Sequence, residues 1–591
     1  MNNPWARKRR VAWRGALAAA VAAALVAGTR PVRGDNRAPA AGTTNVYRNP
    51  VLADVAGPFV LTWRGEYYLY RASVGGDGAL DVLISRDLVH WKPGPVVWRP
   101  GAMPDDATRG TARAPEVYAE NGRFFLLFSA ASAAEPGSGE RLWAAVADSP
   151  LGPFRLLSDR PLTPPGRADG HVFVQDGNGG EQYLFSTFFP RADGARIQGR
   201  ELRTQFGSRT LADRLRALAE GRASEADTGA WRTLIAPQSD GPENGRVEAP
   251  TLFKRGDTYY LLYAAAAAAG GASSGRIGYA TARAAASAPL GPWTRRGALV
   301  PGTADAPRPG SPGVVLGPDN ATLFLLYDRA RPGGGLLPRD LMLKRLDVSP
   351  GGALLTVKNA PGAMPAPPAP AFADYFDGPA ALGPAWLPLL GLWSVDASAR
   401  EVRQTDSSAP FLPDPNAPPD RWPAPTFGRL RLTHVTVSAD GVVSVSVRRI
   451  AGWGEVGIAL TTTDFFRLIV LVGSDSVFSP DGTKRGKLSV LTAEDARIAR
   501  RLDTGSRATG RGLGVSWDVG VYHHLRVVRR GGRALVYLDG EYWPSVEVPF
   551  PSKAAATLEL VTVNSAGAFS GLSVTSREPA AVARPTGRPA R

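Results

Sequence analysis

The stretch from Val247 to Ala264 reads VEAPTLFKRGDTYYLLYA. An apolar strand, a polar Arg-Gly-Asp turn and an aromatic strand follow one another, with a glutamate immediately before them. Ionised carboxylates are costly to bury, so Glu248 at the head of a strand pair marks a place where a carboxyl is wanted. The same order recurs along the chain. GPFVLTWRGEYYLYRAS (57–73), APEVYAENGRFFLLFSAA (114–131), GHVFVQDGNGGEQYLFST (170–187) and GVVLGPDNATLFLLYDRA (313–330) share it with APTLFKRGDTYYLLYAAA (249–266). The aromatic strands begin at Tyr67, Phe124, Tyr183, Tyr259 and Leu323, at offsets of 57, 59, 76 and 64 residues. Each interval holds a small antiparallel sheet that cannot bury both faces alone. Regular all-β repeats of this size predict a radial propeller of five blades; a row of hairpins in a large sandwich is the alternative.

A chain of 591 residues is too long for one ordinary core and predicts two folded units. Cysteine is absent, which excludes disulfides, thiolate metal sites and a cysteine nucleophile. The five histidines (His90, His171, His434, His523 and His524) are scattered, against a histidine zinc site or a histidine-dependent triad. At the N-terminus, ARKRRVAWR followed by GALAAAVAAALVAG reads as a signal peptide over residues 1–40, with Ala38-Pro39-Ala40 as the cleavage site. That segment holds eight Lys/Arg and one Asp, so +7 of the formal +16 leaves with it and about +9 remains. The remaining charge is dispersed, without a basic run interleaved with aromatics, which disfavours nucleic acid as a partner. The expectation is a secreted protein with no membrane contact after cleavage, and a monomer.

The segments carry a resemblance. YRNPVLADVAGPFVL, SRDLVHW, RAPEVYAENGRFFLLFSA, ADGHVFVQDGNGGEQYLF, VEAPTLFKRGDTYYLLYA and SPGVVLGPDNATLFLLYDR occur in the order found in glycoside hydrolase family 43. These are five-bladed β-propeller arabinofuranosidases and xylosidases, which residues 45–358 resemble. SRDLVHW also suits the sucrose-cleaving propellers, but their Arg-Asp-Pro and Glu-Cys motifs are missing. The resemblance implies hydrolysis of O-glycosidic bonds in arabinose- or xylose-containing polysaccharide by an inverting acid/base mechanism. It places the general acid at Glu248 and the third carboxylate, which orients and tunes the acid, at Asp169. Glu116, in APEV, falls in a mainly structural motif. Two departures stand out. The family's base, an aspartate before proline ten residues ahead of the blade-one aromatic strand, falls on Gly57. The nearest carboxylate is Asp54, expected to take over as base if the loop is remodelled. The family's blade-five histidine falls near Ser311, so neither a cofactor nor an axial calcium is expected. The alternative is a propeller that binds glycan without hydrolysing it.

LADRLRALAEGRASEA (211–226) has helical composition and is expected to lie beside the pocket mouth, or as a surface insertion. NAPGAMPAPPAPAF (359–372) reads as an extended Pro/Ala linker. Residues 373–576 alternate at strand period near their end and resemble laminin-G-like or concanavalin-like jelly-roll sandwiches. Residues 577–591, rich in Pro, Arg and Ala, are expected to be disordered.

Overall fold

The computed structural model describes residues 46–576, apart from 74–76, 104–111, 132–138, 176–180, 191–193, 203–209, 222–228, 268–274, 284–287, 357–361, 406–426, 475–484, 494–506, 509–511, 517–519 and 541–543. Residues 1–40, expected to be a signal peptide, and the tail 577–591 lie outside the described residues. The fold is all-β: a five-bladed propeller, then a large sheet wrapped into a β-sandwich. Each blade is a four-stranded antiparallel meander whose first two strands are the repeated hairpin. The inner strands are Phe59–Trp63, Arg113–Glu120, Arg167–Val174, Arg246–Arg255 and Gly310–Leu316. Turns Arg64-Gly65 and Asn121-Gly122 carry positive φ at both residues, the geometry that matches strand twist in a two-residue hairpin.

The aromatic second strands are buried on both faces because each blade packs against two neighbours. In blade one, Tyr68 and Tyr70 join Phe124, Phe128 and Trp143 of blade two in one core. The alternate residues Tyr67 and Leu69 join Phe324, Leu326 and Leu343 of blade five. Similar cores lie between the other neighbouring blades. Trp143 therefore serves blade packing.

Each inner strand carries a residue at positive φ within or just before its first few residues: Gly57 (60°), Ala114 (48°), Asp169 (52°), Ala249 (54°) and Ser311 (44°). In blades two to five this residue lies inside a register shift, a bulge that re-aims the residues at the strand head. Three of these leads are latched by the preceding blade. Ser129 Oγ accepts from the Asp169 amide (2.9 Å), Thr187 Oγ1 from Ala249 (3.0 Å) and Asp328 Oδ2 from Gly57 (2.8 Å). The last of these closes the ring. The segment before Gly57 extends the closure: Tyr47 and Asn49 bond Leu343, Val51 and Leu52 bond Leu341, and Val55 bonds Arg339.

The helix Leu211–Ala219 is capped by Thr210, and its Leu211 amide donates to Glu120 (2.7 Å) at the turn end of blade two. Leu211 and Leu215 pack between blades two and three. The helix therefore sits at the hairpin-turn end, neither beside the mouth nor as a bare surface insertion. The Pro/Ala segment is also less free than its composition implies. Met364–Pro365 pairs with Val46–Tyr47, and Met364 is buried.

The sandwich is organised by two long paired strands, Val442–Thr462 and Ala556–Thr575. Along the first, inward residues run Val443, Val445, Val447 and then Val456, Ile458, Leu460. Bulges near Ala451 and Glu455 account for the change of phase. The sandwich docks on the turn end of the propeller. Arg64 reaches Ser570 Oγ (2.9 Å) and the Arg400 carbonyl (3.0 Å), and the buried Glu66 takes Arg400 (2.7 Å) and Arg86 (3.0 Å). Arg86 also pairs with Asp377, and Asn320 with Ser573. Trp63 packs edge-on against Tyr522.

Candidate active site

The five strand heads converge on a funnel, from which a cavity of about 350 Å³ runs along the axis. Gly57, Ala114, Asp169, Ala249 and Ser311 line its upper end, and Tyr522, His524 and Gly540 of the sandwich line its far end. Midway, Glu116 is held by the Tyr118 hydroxyl and by His171 Nδ1 (3.0 Å), while His171 Nε2 receives the Leu252 amide (3.0 Å). These bonds make Glu116 an axial strut. Among the described residues, no three His, Cys, Asp or Glu side chains are grouped to hold a metal ion.

Glu248 stands immediately before the blade-four bulge, its side chain 29% exposed. Its pKa is raised, first by desolvation in the funnel wall and further by the charge of Asp169; Arg246, Arg113 and Arg339 pull the other way. Partial burial that favours the protonated form is what proton donation requires. Asp169 is the blade-three lead. Its Oδ2 accepts from Thr187 (2.7 Å), and its Oδ1 pairs with Arg113 (3.2 Å), which also grips Glu140. Thr187 bonds the Ala249 amide as well, so one hydroxyl ties Asp169 to the residue following Glu248. The structure thus brings these two sequence-assigned carboxylates together.

Asp54 is placed differently. It lies at φ 58° on the ring-closing segment, its carboxylate 43% exposed, with Oδ1 held by Arg331 at 2.7 Å. Arg331 also binds Asp340 (2.8 Å). Asp54 Oδ2 has no partner among the described residues. At the blade-one lead, a Cβ on Gly57 would meet the Ala114 backbone at 3.3 Å. Asp328, the carboxylate nearest that amide, is buried with both oxygens occupied, by Gly57 and by Arg339 (2.8 Å).

Sequence reading missed Arg113, Asp328 and Arg339. A signal existed for Asp328: it occupies the latch position that Ser129 and Thr187 hold in the second strands of blades two and three. Trp231 lies under the Arg167 guanidinium at 3.8 Å.

The profile of glycosyl hydrolases family 43 matches residues 47–354. A thermostable family-43 glycoside hydrolase structure is 25% identical, with 55% of this chain and 99% of that one covered at a TM-score of 0.46. A xylan β-1,4-xylosidase from Bacillus halodurans is 15% identical, covering 90% and 100%, at a TM-score of 0.42. An α-L-arabinofuranosidase from Lactobacillus brevis is 19% identical, covering 53% and 97%, also at 0.42. No curated protein matches the chain.

Proposed function

The chain belongs to glycosyl hydrolases family 43, and on that premise we propose that it is a secreted glycosidase acting on arabinose- or xylose-containing polysaccharide with inversion. Glu248 donates its proton to the leaving glycosidic oxygen, and Asp169 positions it through Thr187 and raises its proton affinity by charge. Water on the opposite face of the sugar is activated by Asp54, the carboxylate of the blade-one loop. In an inverting enzyme the two carboxyls stand roughly 6.5–9.5 Å apart, leaving room for that water. The observation that carries the reading is the half-buried Glu248 with its raised pKa beside the anchored Asp169. Secretion is supported by the N-terminal sequence; among the described residues no helix is long and apolar enough to cross a membrane.

One observation favours a second reading, glycan binding without turnover: the blade-one lead is glycine, its amide committed to Asp328. A screen of aryl arabinofuranosides, aryl xylosides and arabinoxylan, with product configuration read by NMR, separates the two. Under the first reading the wild type is active with inversion, and Asp54→Asn lowers kcat by about 10²–10⁴-fold. Under the second the wild type is silent and Gly57→Asp gains activity. The Asp54 assignment fails if Asp54→Asn retains full activity.

A further inference from the structure

Arg246 and Glu248 are two residues apart on one strand and so share a face. The Arg246 Nε lies 3.9 Å from Glu248 Oε2, beyond a hydrogen bond, and the arginine side chain is 51% exposed. The other arginines of the funnel are committed. Arg113 grips Asp169 and Glu140, Arg339 grips Asp328, and Arg331 grips Asp54 and Asp340. Among the described residues, no carboxylate lies within hydrogen-bond distance of Arg246.

A cation in that place works against the chemistry. A general acid must hold its proton, and a guanidinium alongside favours the ionised form. The opposition disappears when an anion occupies the arginine. Arginine's planar fork of donors suits a carboxylate in particular.

We propose that Arg246 recognises a carboxylate on the glycan itself, a hexuronic acid residue carried next to the linkage that Glu248 attacks. This rests on the glycan-binding funnel described above and narrows its substrate class to acidic, uronic-acid-bearing pentose chains. When such a chain binds, its carboxylate neutralises Arg246. Of the charged groups that face Glu248, Asp169 then acts against Arg113 and Arg339 alone, and proton occupancy of Glu248 rises only with the matching substrate in place.

Titration calorimetry on the full chain tests this independently of turnover. The probes are a β-1,4-xylotriose bearing one glucuronosyl branch and neutral xylotetraose. The acidic probe is expected to bind about tenfold tighter, the effect of one charge-assisted contact at a half-exposed site. That preference should vanish in Arg246→Gln, persist in part in Arg246→Lys, and shrink as salt rises. Equal affinities in the wild type, or a preference that survives Arg246→Gln, overturns the carboxylate site and leaves the glycan reading standing. Binding of neither probe sinks both.

Discussion

Replacing Asp328 tests how the ring is held shut. Its carboxylate is buried, with Arg339 at 2.8 Å on Oδ1 and the Gly57 amide at 2.8 Å on Oδ2. Asp328→Ala strands a guanidinium whose side chain is only 15% exposed. Losing one partner of a buried pair costs about 3–5 kcal/mol, and the abandoned Gly57 amide adds about 1 kcal/mol or more. For a domain of this size about 2–4 °C of melting temperature accompanies each kcal/mol, so a fall of roughly 8–24 °C is expected. Asp328→Asn keeps an acceptor for Gly57 and should fall less. Asp328→Leu combined with Arg339→Met removes both charges and should recover most of the loss. The assay is thermal unfolding followed by circular dichroism, with urea titration as a check. A second readout is the pH profile. Arg339 already opposes protonation of Glu248, and without Asp328 its charge is uncompensated, so the alkaline limb of kcat/KM moves to lower pH. A melting temperature within about 3 °C of wild type for Asp328→Ala, near 1 kcal/mol, would refute the ring-closing role.

Three further outcomes follow from the site and from the domain contact. Glu248→Gln should abolish turnover of natural glycosides while sparing substrates with activated leaving groups, since these need less protonation; equal loss on both, in a folded protein, argues against the acid role. Because the folded-state pKa of Glu248 is raised, its carboxyl costs stability as pH rises above the ordinary value of 4.5. Glu248→Gln should therefore melt higher than wild type at pH 7 and alike near pH 4, checked by paired melts. A propeller fragment cut near Pro367 should aggregate or melt well below the full chain, since it strips Arg400 from the buried Glu66 and exposes Trp63; an equally stable fragment would make the docking incidental.

The propeller was legible because its unit is local. Each inner strand, turn and aromatic strand lies within about twenty residues, and apolar period, glycine turns and Pro or Gly after the strand-head residue all report the same geometry. The places of Glu248 and Asp169 at strand heads were legible in the same way, whereas the roles expected of them came from the family resemblance. The charged partners were not. Asp328 reads as an ordinary strand-end aspartate until it is set against Gly57, and Arg113 gives no hint of Asp169 or Glu140 by spacing. Arg64, Glu66 and Arg86 look like solvated hairpin charges, yet they hold the sandwich through residues some 300 positions later. The Pro/Ala composition of 359–372 suggested a spacer, whereas Met364 is inserted beside Tyr47 in the closing seam.

That seam imposes an order on the birth of the molecule. Gly57 and Asp328 are 271 residues apart, and bringing such distant points together costs about 5 kcal/mol of chain entropy. As the polypeptide lengthens, Tyr47, Asn49, Val51 and Val55 have nothing to bind until blade five has been synthesised. The first four blades must assemble around an unfilled gap, with the Tyr67 and Leu69 face of blade one bare of its neighbour. The contacts written earliest in the sequence are among the last in the propeller to be made.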